Sequence, residues 1–125
     1  MSIQIFVPEA GATPATGVAI KNSTVLGKAI ATSVAATVKT TVLTISAVAD
    51  TYITEVVCSG MEYGKWFLTV DSVDQMIRRG GSNRDVIWEF VNPLKVSSGS
   101  VLDVKVQHFV TGETPDFEST VLGYT

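Results

Sequence analysis

The stretch VLDVKVQHFV, Val101–Val110, decides the fold class. Leu102, Val104, Val106, His108 and Val110 share one parity, and Asp103, Lys105 and Gln107 share the other. A period of two sends successive side chains to opposite faces of a pleated backbone, so this is a strand with one dry face and one wet face. The SSGS just before it, Ser97–Ser100, reads as a tight turn.

The same pattern recurs on either side. DVIWEFV sets Val86, Trp88 and Phe90 on one face with Glu89 opposite. KWFLTVDS sets Trp66, Leu68 and Val70 against Lys65, Thr69 and Asp71, with Phe67 as the exception. TVKTTVLTISAVA from residue 37 is β-branched almost throughout, which suits a strand. TYITEVVCS follows the turn-like Asp50, VDQMIRR is a shorter strand, and FESTVLGY closes the chain. Pro93 is expected to stop the preceding strand from continuing in a central ladder. The segments SG, RGGSN, NP, SSGS and TGETPD separate these runs, and no long amphipathic helix interrupts them. Short strands at regular spacing predict an all-β, antiparallel β-sandwich or barrel. A single sheet would leave the face of Trp66, Trp88 and Phe90 uncovered.

Residues 1–33 read differently. Ala, Thr, Gly, Ser and Val dominate, and Pro8, Gly11, Pro14 and Gly17 break any helix. They are expected to form an extended N-terminal arm with short edge strands, ahead of a β-sandwich domain over residues 34–125.

The totals narrow the function. A chain of 125 residues has the size of one domain. Only 17% of residues are charged, against about 25% in a typical domain, so apolar surface is expected to meet a partner. A net charge of −3 and a pI of about 5.0 argue against a basic nucleic-acid binder. No run of about 18 apolar residues predicts a transmembrane helix, and MSIQIFVPEAG does not resemble a signal peptide. One cysteine, Cys58, excludes an internal disulfide, and it is expected to be a small buried residue.

Chemistry is sparse. One His and one Cys exclude a zinc site of several such ligands. Asp71 and Asp74 with Asp85 or Glu113 lack the spacing of a calcium loop. His108, the only imidazole, lies on the buried parity and reads as a core or interface histidine with its nitrogens satisfied. No nucleotide-binding fingerprint is present. The chain is therefore expected to be no enzyme, with no catalytic residues, cofactor or metal. Both tryptophans read as core rather than as a sugar-stacking platform.

MIRRGGSNRDVIWEF, Met76–Phe90, sets Arg78, Arg79 and Arg84 around two glycines. Successive N–H groups at Gly80 and Gly81 would suit a phosphate nest. The preferred reading is a hairpin in which Gly-Gly-Ser-Asn joins VDQMIRR to RDVIWEF, with the arginines free to meet the acids of another subunit. Tyr63, between Gly60 and Gly64, and Tyr124 in the terminal LGYT are further partner-binding candidates.

The C-terminal two-thirds resembles small β-sandwich proteins of tailed-phage virions. The likeness lies in the order of its parts: an aromatic strand ending TVD, a basic Gly turn, a second aromatic strand, PLKVSSGSVLDVKV, then FESTVLGY. It is similar in kind to capsid decoration, or cement, proteins. That resemblance implies a jelly-roll-like fold and a non-enzymatic structural role on the capsid exterior of a virion assembled in a host cytoplasm. It implies the major capsid protein and neighbouring copies of the same chain, as a trimer, for partners, with neither nucleic acid nor membrane. A carbohydrate- or receptor-binding module, or a neck or tail adaptor, is the alternative reading.

Overall fold

In the computed structural model, the described residues are 22–60, 64–79 and 85–125. They contain eight strands and no helix: β1 Thr24–Ala31, β2 Thr40–Ser46, β3 Thr51–Gly60, β4 Gly64–Val70, β5 Val73–Arg79, β6 Val86–Val96, β7 Val101–His108 and β8 Phe117–Tyr124. Each of the seven strands read from residue 37 onward is present. The strands form two four-stranded antiparallel sheets, ordered β1-β8-β3-β6 (sheet A) and β2-β7-β4-β5 (sheet B). The pairs β1·β8, β2·β7, β3·β6 and β4·β5 nest, as if one long hairpin had been rolled up.

Alternation explains which faces meet. Trp66, Leu68, Leu102, Val104 and Val106 of sheet B are buried against Ile53, Val56, Val86, Trp88, Phe117 and Val121 of sheet A. Each fully buried Val, Leu, Ile or Phe side chain contributes about 1.5–3 kcal/mol relative to an exposed one. A charge at Val104, which is 0% exposed, would remove that gain and leave an unpaired ion in the core. Phe67 lies on the opposite face from Trp66 and is nonetheless buried. The Lys39 ammonium sits 4.0 Å from its ring centroid and that of Lys65 5.5 Å, both within cation–π range.

The two open sides of the sandwich differ. Along β1 and β2 the sheets close tightly, and a Cβ at Gly27 would lie 2.5 Å from Ile45 Cδ1. Along β5 and β6 the sheets are tied by the Arg78 guanidinium, which donates to the Ile87 carbonyl at 3.1 Å. The two ends differ as well. One end carries three short turns bound to each other: Ala47 N–H donates to Ser100 O at 3.0 Å, Ser98 N–H to Asp50 Oδ1 at 2.9 Å, and Val101 N–H to Asp71 Oδ1 at 2.9 Å. The SSGS turn closes as expected, with Ser100 N–H on Ser97 O at 2.9 Å and Gly99 at φ +91°.

Three expectations change. Residues 24–31 are a full edge strand of sheet A paired along β8, so the sandwich begins inside the segment 1–33 that reads as an arm. Residues 1–21 lie outside the described residues. Pro93 does not end its strand: β6 runs on to Val96, because it is an edge strand and Pro93 falls in a bulge. There the four residues Phe90–Pro93 stand opposite Thr54 alone, since Glu55 pairs Glu89 and Ile53 pairs Leu94. Finally, VDQMIRR and RDVIWEF do not form a hairpin. β5 belongs to sheet B and pairs β4, whereas β6 belongs to sheet A and pairs β3. The hairpin is instead β4–β5, turned at Asp71 (φ 50°) and Ser72 (φ 67°), two positive values that match the twist of a two-residue turn.

Candidate partner interface

The residues proposed from sequence do not gather at one place. Arg78 and Arg79 stand at the end of β5, the outermost strand of sheet B, and both are exposed. Tyr124 ends β8 in sheet A, half-buried, with its ring stacked on Tyr52 at 5.3 Å and 22°. β5 reaches Arg79 at the end opposite the short turns, and β8 reaches Tyr124 at the same end as those turns. Arg84 and Tyr63 lie outside the described residues, as does the Gly-Gly-Ser-Asn segment.

What does gather is apolar exposure on the β5–β6 side. All seven residues of β5 are exposed, including Val73, Met76 and Ile77. On β6, Ile87 is exposed and Val91 is 98% exposed at the crown of the bulge. β5 has no consistent parity because its ladder with β4 shifts register between Leu68 and Thr69. Its outer edge faces no other strand of its sheet among the described residues. Unpaired edge backbone flanked by apolar side chains is a template for another chain.

Charges of both signs lie on this side. Asp74 is exposed near the turn end of β5, Arg78 and Arg79 are exposed at its other end, and Asp85 is exposed just before β6. On the outer face of sheet A, Glu89 stands directly opposite Glu55, an unfavourable cross-strand pair. The ion pairs of the described residues are Lys39–Asp74 at 3.8 Å and Lys95–Asp50 at 3.6 Å, so Arg78, Arg79, Glu55 and Glu89 have no ionic partner among those residues. Sequence reading found the arginines and missed the apolar residues around them. The signal was the absence of alternation in VDQMIRR, which marks a strand wet on both faces.

The rest of the chemistry is structural. His108 is 0% exposed; Nδ1 accepts the Val110 N–H at 3.2 Å, so Nε2 carries the proton and donates to Val34 O at 2.7 Å. Both nitrogens are satisfied, as the buried parity suggested, and they pin the β1–β2 loop to β7. Cys58 is buried, and burial pushes its thiol up to about 12; the Asp85 charge pushes the same way, and the Ser119 hydroxyl at 3.9 Å opposes. Asp50 and Asp71 are held below the usual 3.8, chiefly by the Ser98 and Val101 backbone N–H groups respectively. Trp66 and Trp88, each 2% exposed, are core. A cavity of about 340 Å³ opens where β1, β3 and β8 meet, bordered by Ile30, Gly60, Asp116, Phe117 and Glu118. Among the described residues no three His, Cys, Asp or Glu side chains form a metal-ligand group, and no helix is long and apolar enough to cross a membrane.

Comparison with known proteins finds no match to this chain among protein families, curated proteins or solved structures.

Proposed function

We propose that this chain is a non-enzymatic structural protein of a phage virion, a capsid decoration or cement protein that bridges coat subunits from the capsid exterior. The observation that carries this reading is the apolar, edge-exposed side along β5 and β6 in a chain with only 17% charged residues. A surface of that kind serves adhesion to protein, since it offers backbone hydrogen bonds and apolar area together. The nested strand order β1-β8-β3-β6 over β2-β7-β4-β5 supports assigning the sandwich to the jelly-roll class, an architecture used in viral capsid proteins and in lectins. Fold alone does not select the function. The segment ahead of β1 is assigned to reach a neighbouring coat subunit.

The test is to mix the protein with capsids lacking it, then follow co-sedimentation, electron microscopy and capsid melting. Regular occupancy of lattice positions and a higher melting temperature are expected. Absence of capsid binding overturns the reading, and density confined to the neck or tail replaces it with an adaptor. Removing residues 1–20 should leave the sandwich folded and abolish binding; binding at full strength would remove the segment's role. The glycan-binding alternative rests on the stacked Tyr52–Tyr124 pair at the sheet A surface. It requires that a glycan library shift the tyrosine signals, and that Tyr124→Ala abolish the shift.

A further inference from the structure

We infer that the β5–β6 side is a self-complementary interface, by which two copies of this chain associate about a two-fold axis. This deepens the capsid reading by making a neighbouring copy of this chain the protein that the β5–β6 side meets, which leaves the segment ahead of β1 to meet the coat, and it holds whether or not a capsid is the final partner.

Three observations converge on it. Ten large apolar side chains are exposed among the described residues, and five of them (Val73, Met76, Ile77, Ile87 and Val91) lie on these two strands. Two strands out of eight thus hold half of the exposed apolar residues, and both are edges on the same side of the sandwich. This side also carries both signs of charge. Arg78 and Arg79 close β5, Glu89 lies on β6, and Asp85 stands just before it. A partner recognised by charge alone would need one sign here. A second copy, turned by a two-fold rotation, meets each sign with the other, because residue i then faces j and j faces i. The third observation is that, among the described residues, Glu89 and Glu55 oppose each other with no basic group paired to them, while Arg78 and Arg79 have no acid. A copy's arginines brought to that pair would relieve both.

The size fits a modest interface. Seven residues at about 3.3 Å each and two sheets about 10 Å apart, with side chains beyond, give a face roughly 25 by 20 Å. That lies below the roughly 800 Å² per partner of a standard interface, so a micromolar rather than nanomolar dimer is expected. The dimer would then be the unit that decorates a surface, in place of the trimer that resemblance suggested.

Sedimentation velocity on the intact chain tests this, from about 1 µM to about 1 mM. The parent should pass from monomer to dimer, with an association weakened at least about tenfold by raising salt from 50 mM to 1 M. Arg78→Glu with Arg79→Glu should sediment as a monomer, and so should Asp85→Lys with Glu89→Lys. An equal mixture of the two variants should recover a dimer, since each like-charge clash is then replaced by an attraction. All four positions are exposed; because Arg78→Glu also gives up the hydrogen bond to Ile87 O, Arg79→Glu alone is the control, which should weaken the dimer with its urea midpoint unchanged. A parent that stays monomeric overturns the proposal, as does a variant that dimerises like the parent or a mixture that stays monomeric. A trimeric parent overturns the two-fold form.

Discussion

Replacing Gly60 by Ala should destabilise the protein, although alanine is ordinarily the better residue. Gly60 ends β3 without a positive φ, so backbone conformation does not require glycine there. In open space the change would stabilise by about 0.4–1 kcal/mol through the unfolded chain. The new Cβ, however, would lie 2.2 Å from Phe117 Cδ1 and 2.6 Å from Cε1. Phe117 cannot readily yield. It is 1% exposed, its ring meets Trp66 edge-on at 5.6 Å, and it lies 5.8 Å from His108, which is itself held at both nitrogens. The open direction is the cavity of about 340 Å³ beside it. Moving there exposes the ring and forfeits the edge contact, worth about 0.5–1.5 kcal/mol. Overpacking of this kind costs about 1–3 kcal/mol, which exceeds the gain and sets the sign. Phe117→Leu alone should cost about 1–2 kcal/mol in lost area and ring contact. Combined with Gly60→Ala it should cost less than the sum by at least about 1 kcal/mol, because the methyl group enters space the ring has left. Urea unfolding followed by tryptophan fluorescence, with Trp66 as reporter, gives all four corners of the cycle. A neutral or stabilising Gly60→Ala, or additivity within about 0.5 kcal/mol, would refute the packing argument.

Three further outcomes follow from particular groups. Asp50 and Asp71 have folded-state acidities below their ordinary 3.8, so the stability they lend is present above that pH and is lost as the pH falls through their lower folded values. Asp50→Asn with Asp71→Asn should flatten the acid side of a melting-temperature profile below about pH 4, and an unchanged acid limb would show that these turns do not set it. With its thiol pushed up to about 12 and fully buried, Cys58 should resist a thiol reagent until the sandwich opens. Its labelling rate should then follow urea in step with global unfolding, and rapid labelling of the native protein would contradict the burial. His108→Leu removes the donor on Val34 O, at a cost of about 1–3 kcal/mol. Hydrogen exchange should rise across residues 32–39 first, and uniform change over the whole sandwich would deny the imidazole its role as a local clamp.

Strand positions were legible because alternation reports which side of a strand is dry. β7 and β8 carry that pattern in full, β4 carries it except that Phe67 and Thr69 are buried too, and His108 falls on the buried parity with the valines. β1 reads from the sequence as part of an arm with short edge strands, because Gly27 and its alanines weaken the pattern. Those small residues are what the closed side requires, since Ile45 fills the space a Cβ at Gly27 would take. A small residue in a strand thus reports a close neighbour from the other sheet, which only the folded chain identifies.

Strand pairing was less legible than strand position, and β5 shows why. Its neighbours offer a turn on either side, Asp71–Ser72 before it and Gly-Gly-Ser-Asn after it, and composition favours the second. The strand itself expresses no preference, because Val73, Met76 and Ile77 do not share a parity. β6 breaks the tie: Val86 and Trp88 alternate cleanly, pair with Cys58 and Val56 of β3, and bury their side chains in the inter-sheet core. That burial draws β6 into sheet A and leaves β5 to β4. A strand without parity next to one with strong parity is therefore itself a signal. It marks a sheet edge wet on both faces, and here that edge carries the arginines and the exposed apolar residues together. The feature that defeated the pairing prediction is the same one that makes β5 available to another chain.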